Sequence, residues 1–296
     1  MNYSNSRRKA IKNIVLGAGL VGVGPLVKLS ANNLDAIKPN FELKGNIRQS
    51  VCYWCYESIP LDEFAEKAKN TGISSIELLR PDQWKTAVKH GLTCAVATDT
   101  FASITDGFNN PANHLRLQQA YEKLIIQAAE NGLPNVICFS GNRGQMNDAF
   151  GLENCARGID KLVKLAEKHG VTLIMELLNS KVNHPDYQCD HTEWGVALVD
   201  KIGSPNFKLL YDIYHMQIME GDVIATIRKY HSYIAHYHTG GVPGRNEING
   251  SQELNYPAIM RAILETGFKG YVAQEFIPAY EDKIFALREG VLICDV

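Results

Sequence analysis

From Asn46 to its last residue the chain alternates short β-branched runs with amphipathic stretches, and no linker or change of composition interrupts the pattern. The candidate strands are Ile47–Tyr53, Ser75–Leu78, Leu92–Ala97, Asn135–Phe139, Thr172–Glu176, Phe207–Asp212, Ile234–His238 and Tyr271–Glu275. Between them apolar residues recur at helical spacing. Leu117, Ala120, Tyr121, Leu124 and Ala128 line one face, and Leu152, Cys155, Ala156, Ile159, Leu162, Val163 and Ala166 line another. Gly91, Gly132, Gly170, Gly203 and Gly267 fall where a helix must stop before the next strand, as a left-handed cap requires. Eight βα units in about 250 residues specify an α/β fold, a single (β/α)8 TIM barrel, with a doubly wound open sheet of fewer strands as the competing arrangement. In a barrel, chemistry is expected at the C-terminal ends of the strands.

The barrel accounts for residues 46–296 of the 296-residue chain and leaves a segment 1–30 and a linker 31–45 of different character. Ser6-Arg7-Arg8-Lys9-Ala10 precedes an apolar, Gly-rich run from Ile14 to Leu29, with no acidic residue before Asp35. A basic n-region followed by a short h-region is the pattern of an export signal. The adjacent arginines resemble a twin-arginine signal, although Ala10 stands where Phe is usual and no A-x-A cleavage site follows. A periplasmic location is therefore expected, with the cytoplasm as the alternative. The run is short of the roughly 20 apolar residues of a membrane span, so no stable span is expected. Gly17-Ala18-Gly19-Leu20-Val21-Gly22 reads literally as G-x-G-x-x-G, but Pro25 follows at once and residues 30–40 are polar. The helix and second strand that a dinucleotide fold needs do not follow.

Thirty Lys and Arg against 32 Asp and Glu leave no electrostatic footprint for nucleic acid or an anionic membrane. The partner expected is instead a small hydroxy-carbonyl or sugar molecule, and a homo-oligomer is compatible with the sequence. The seven cysteines are odd in number and scattered, which is no disulfide framework. Cys52-Tyr53-Trp54-Cys55 is formally C-x-x-C, but it closes a strand without a thioredoxin-like surround and has no second pair for zinc. Two nearby thiols is the simpler reading, with a local disulfide open to an exported protein.

Residues able to bind a cation close four consecutive candidate strands: Glu176, Asp212, His238 and Glu275. Adjacent barrel strands bring such ends to one mouth. Three carboxylates and one imidazole form a mostly oxygen donor set suited to Mn2+, Mg2+ or Co2+, with Zn2+ also in range. Without a cation the carboxylates would repel and one would take up a proton. Each acidic residue alone could instead cap the following helix. His236 shares a strand face with His238 and competes with it for the ligand role.

The segment Tyr211-Asp212-Ile213-Tyr214-His215-Met216-Gln217-Ile218-Met219-Glu220-Gly221 resembles the one that follows the sixth strand in the hydroxypyruvate isomerase family. Ile174–Asn179, Gly244–Asn249 and Gln274–Phe276 fit the same family, within the xylose-isomerase-like barrels that include the tagatose and psicose 3-epimerases. The resemblance covers residues 46 to about 280. It implies a divalent metal held by Glu176, Asp212, His238 and Glu275, with Glu176 and Glu275 as the acid/base pair and His215 and Arg245 contacting substrate oxygens. Two departures stand out. Hydroxypyruvate isomerase has Gln where this chain has His238, whereas the ketose epimerases have His. Those epimerases also carry a second Glu six positions after the first, where this chain has Val182.

The implied chemistry is proton transfer through a metal-bound enediolate, interconverting hydroxypyruvate and tartronate semialdehyde. One carboxylate removes the proton beside a carbonyl, and the other returns it to the neighbouring carbon or to the opposite face. Arg245 would suit a substrate carboxylate or stand as a loop cation. Tyr53, Trp54 and Tyr56 could wall the pocket or pack the barrel end, and Asn179, His184 and His191 are further candidates on the polar loop after the fifth strand. The alternatives are a keto-sugar isomerase, epimerase or lyase, which His238 and export both favour, and a non-catalytic sugar-binding barrel, against which the complete ligand set speaks.

Overall fold

A computed structural model describes residues 42–296. The export-like segment, its Arg7-Arg8 pair and the Gly17–Gly22 motif lie outside the described residues. Eight parallel strands form one sheet: β1 (Arg48–Cys52), β2 (Ser75–Glu77), β3 (Val96–Ala97), β4 (Asn135–Cys138), β5 (Thr172–Glu176), β6 (Phe207–Asp212), β7 (Ile234–Thr239) and β8 (Tyr271–Gln274). Their order is β2-β1-β8-β7-β6-β5-β4-β3, and isolated parallel bridges Ser75–Thr93 and Leu79–Ala97 join β2 to β3 and close the barrel. The open-sheet alternative is excluded by that closure. Every expected strand is present, and β5 and β6 have the expected bounds. The third is shortest, because Leu92 is drawn back into the end of the preceding helix by its amide bond to Ala87.

Helices follow the strands in the order α1 (Leu61–Lys69), α2 (Trp84–Lys89), α3 (His114–Glu130), α4 (Asp148–His169), α5 (Thr192–Ile202), α6 (Ile213–Met219), α7 (Val223–Tyr230), α8 (Tyr256–Glu265) and α9 (Lys283–Cys294). The longest, α4, shows how the sequence sets them. The Asn147 side chain accepts from the Phe150 amide to start it, Gly170 at φ 68° ends it, and Cys155, Ile159, Leu162, Val163 and Ala166 are buried along one stripe. Each large aliphatic side chain so buried contributes about 1.5–3 kcal/mol. All five glycines expected to cap helices adopt positive φ. Among the described residues no helix is long and apolar enough to cross a membrane.

The compact unit begins at Leu43, slightly before the expected start. The amides of Lys44 and Gly45 donate to the Asp295 carboxylate at 2.8 and 3.0 Å, and Asn46 Nδ2 donates to the Val296 carbonyl at 2.9 Å. The end of the expected linker is thus tied to the C-terminus. All seven cysteines are buried free thiols, Cys52 and Cys55 included.

Candidate active site

The sheet delivers Glu176, Asp212, His238 and Glu275 to one buried cluster, in which each offers a donor atom within 4.8 Å of the others. Glu176 and Asp212 end β5 and β6, His238 is the penultimate residue of β7, and Glu275 follows β8 directly. These are adjacent strands of the sheet, so the same inward-facing level of the barrel collects all four. Asp212 both caps a helix and joins the cluster: Oδ1 accepts from the His215 amide at 3.0 Å and starts α6, while Oδ2 faces Arg245 at 3.4 Å.

His238 Nδ1 lies 3.1 Å from Glu176 Oε1 and 2.8 Å from Glu275 Oε2. Two carboxylate oxygens therefore converge on a ring nitrogen that can offer only one proton. A cation shared by that nitrogen and the oxygens satisfies all of them, and the oxygen-rich donor set suits a divalent metal. The buried His, Glu and Asp cluster is consistent with such a site.

The carboxyls differ sharply in their electrostatics. Burial pushes Glu176 and Asp212 up, and the neighbouring cations only partly offset this. Burial would also raise Glu275, but the adjacent His238 and Arg245 hold it well below the usual carboxylate range. Burial opposes the His238 cation, yet Cys52, Glu275 and Glu176 against its ring hold it well above the ordinary histidine value. Pairs of carboxyls pushed apart in this way are suited to divide acid and base roles.

Beside the cluster opens a cavity of about 380 Å³ lined on one side by Glu176, Glu275, Arg245, His184 and Trp54, and on the other by aliphatic and aromatic residues including Leu78, Ile104 and Phe139. Arg245 is not an exposed loop cation. Its backbone is left-handed at φ 59°, held by its amide to Gly241 and by the Ile277 amide to its carbonyl. That turn aims the guanidinium inward, 2.6 Å from Glu275 Oε2 and over the rings of Trp54 and Tyr214. Trp54 Nε1 donates to Glu275 Oε1 at 2.8 Å.

His215 is wholly buried. Its Nδ1 accepts from the Asn179 backbone amide at 3.1 Å, which leaves Nε2 as the protonated nitrogen, 3.7 Å from Asp212 Oδ2 and without a hydrogen-bond partner. Burial and then Arg245 push its pKa well below the ordinary value, so the ring is neutral.

Other expected residues are placed elsewhere. Tyr53 does not line the cavity: the turn Tyr53–Tyr56 sends Trp54 inward, whereas the Tyr53 hydroxyl bonds the Ile59 carbonyl and its ring packs on Phe64, as does that of Tyr56. Asn179 is buried behind His215 and organises the loop, its Oδ1 accepting from the Val182 and Asn183 amides and its carbonyl from the His184 amide. The loop presents His184 to the cavity and leaves Val182 63% exposed. His191 is a surface residue paired with Asp190.

Sequence reasoning missed Glu77. This last residue of β2 is fully buried, and its Oε1 lies 2.8 Å from His236 Nε2 and 2.9 Å from His238 Nε2. Burial would raise its pKa, but the two imidazoles bring it down to about 2. His236 thus faces Glu77, and His238 alone of the pair reaches the four-residue cluster. The available signal was the one used for the others, an acidic residue closing a strand, but β2 lies outside the run of consecutive strands that drew attention.

Similarity to known proteins follows the same lines. The human putative hydroxypyruvate isomerase is 30% identical over 180 residues, 57% of this chain and 62% of that protein. The 2-oxo-tetronate isomerase of Cupriavidus necator is 34% identical over 113 residues, 38% of this chain and 43% of that protein. The match thus spans less than two thirds of the length of either relative. The crystal structure of AP endonuclease, family 2, from Brucella melitensis superposes with a TM-score of 0.74 at 22% identity, covering 83% of this chain and 96% of that one, which shows a shared fold. The family described as xylose isomerase-like TIM barrel matches residues 57–290, nearly the whole described barrel, and the chain belongs to it.

Proposed function

We propose that the protein is a metal-dependent isomerase of small hydroxy-carbonyl compounds, nearest to hydroxypyruvate isomerase, interconverting hydroxypyruvate and tartronate semialdehyde. The observation that carries this reading is the placement of two electrostatically distinct carboxyls, Glu176 and Glu275, in one four-donor cluster at the edge of a cavity. Glu176, Asp212, His238 and Glu275 would hold the metal, which when bound supplies an electrophile that acidifies the C–H between a carbonyl and a hydroxyl.

The chain's own groups account for the proton traffic. Glu275, kept ionised by His238 and Arg245, takes the proton from the hydroxyl-bearing carbon. Glu176, the other carboxyl at the cavity edge, takes the hydroxyl proton as the new carbonyl forms and delivers it to the neighbouring carbon, while Glu275 passes its proton to the former carbonyl oxygen. The neutral His215 would offer its unpartnered Nε2–H, beside Asp212, to a substrate oxygen, and Arg245, which lines the cavity, would orient the substrate. Trp54 and Arg245 together hold both oxygens of Glu275 in place. The names of the two relatives reported above both describe isomerases of 2-oxo acids, which supports a carboxylate-bearing substrate.

The second reading, a keto-sugar isomerase or epimerase, is favoured by the cavity. Its volume of about 380 Å³ falls in the range of about 300–1,000 Å³ that holds ligands much larger than a three-carbon acid. The twin-arginine-like segment supports export, and we place the protein in the periplasm on that ground. Elemental analysis for bound metal, followed by solvent deuterium exchange into hydroxypyruvate and a panel of free keto-sugars, tests both readings. Glu275→Gln is expected to lower exchange about 10²–10⁴-fold. Wild-type exchange by that variant would sink the two-carboxylate mechanism, and metal-loaded protein active on a ketose but inert toward hydroxypyruvate would select the second reading.

A further inference from the structure

We propose that Glu77 is a positioning residue of this site, fixing the tautomer and orientation of His238 from across the barrel, with His236 holding Glu77 in place. The inference rests on the metal-dependent reading above and concerns how the chain prepares its one nitrogen donor.

A neutral imidazole carries one proton, and the hydrogen bond made by one ring nitrogen decides which face of the ring remains a lone pair. His238 Nε2 lies 2.9 Å from Glu77 Oε1, and an ionised carboxylate only accepts, so Nε2 keeps the proton. Nδ1 is then the nitrogen that gives up its proton to a metal, and it is the one facing Glu176 and Glu275. The other neighbour of Nε2 is the Cys52 thiol at 3.7 Å, a weak partner that could not impose this choice.

Glu77 reaches this position from a distant strand. It ends β2, whereas His236 and His238 lie on β7, and β1 and β8 intervene in the sheet. The contact therefore runs through the barrel interior rather than along a ladder. His236 and His238 stand two residues apart on one strand face, and both direct Nε2 at the same Glu77 oxygen. Two donors on one oxygen leave the carboxylate little freedom to swing. Its second oxygen, Oε2, is buried without a partner, so the group is held by its contacts to the two rings.

The test titrates Mn2+ into the full chain by calorimetry. Glu77→Gln and Glu77→Leu are expected to weaken Mn2+ binding about 10–100-fold, the usual effect of removing the group behind a metal-binding histidine. His236→Phe should weaken it less. Undiminished affinity in folded Glu77→Leu would overturn the proposal. Should the variants fail to fold, long-range 1H–15N NMR of the wild-type protein, with and without Zn2+, reads the tautomer directly. With Zn2+ bound, a proton on His238 Nε2 alone is expected; the metal-free ring, held as its cation, carries both protons, and loss of the Nε2 proton on Zn2+ binding would overturn the assignment. Wild-type protein that takes up no metal would instead defeat the metal-dependent reading, while the nitrogen that keeps its proton as the metal-free His238 ring is titrated to its neutral form still decides the role of Glu77.

Discussion

Arg245 Nη2 lies 2.6 Å from Glu275 Oε2, the same oxygen that faces His238 Nδ1 at 2.8 Å. The carboxylate proposed as the base is thus held between Arg245, from the loop after β7, and His238, on β7 itself. Arg245→Ala is expected to lower kcat/KM about 10²–10³-fold, as removal of a preorganised charge partner does. Arg245→Lys should recover only part, because an ammonium lacks the flat guanidinium that lies over Trp54 and Tyr214 and sets Nη2 against both Glu275 and Asp212. Full activity in the Lys variant, measured by deuterium exchange, would contradict this role.

Trp54 supports the other oxygen of Glu275. Trp54→Phe keeps the aromatic wall and deletes only the Nε1–H donor, 2.8 Å from Oε1. A hydrogen bond to a charged group contributes about 1.5–3 kcal/mol. The expected outcome is a roughly 10–100-fold loss in kcat/KM with thermal stability little changed, since Trp54 is 37% exposed. A variant as active as wild type would remove Trp54 from the machinery.

Acid should expose the Glu77 pair in metal-free protein. Its folded pKa of about 2 lies below the ordinary glutamate value of 4.5 expected in the unfolded chain, so its contribution is present above 4.5 and is lost as pH falls toward about 2. At about 1.36 kcal/mol per pKa unit the loss across the window is roughly 3 kcal/mol. Urea unfolding at a series of pH values between 5 and 2.5 measures it. Glu77→Gln should flatten the slope in that interval, and an unchanged slope would show that other carboxylates govern it.

Export can be tested apart from catalysis. Replacing Arg7 and Arg8 together by Lys is expected to hold the protein in the cytoplasm, because a twin-arginine receptor reads the guanidinium pair. Unchanged fractionation of the double variant would remove the twin-arginine assignment.

Much of the site could be read from the sequence because each of its members obeys a local rule. Glu176 and Asp212 close strands whose bounds follow from short, largely apolar runs, and Glu275 stands one residue beyond such a strand. The rule says where a residue sits along its strand, not what it meets. It therefore did not separate Tyr53 from Trp54, neighbours that a tight turn sends to Phe64 and to the cavity respectively, nor show that the polarity of Asn179 serves the loop and the back of His215.

By itself the sequence determined the eight-unit alternation, the glycine caps and the four strand-end donors, because period, cap chemistry and strand length depend on residues close together in the chain. Only the closed barrel decided that Glu77 meets His236 and His238, that Arg245 turns inward onto Glu275, and that Val182 turns out while His184 turns in. Those contacts join residues from different strands and loops, and Glu77 and His238 are 161 positions apart. Their partners are fixed by sheet order and by loop backbone geometry, which become definite when the barrel closes.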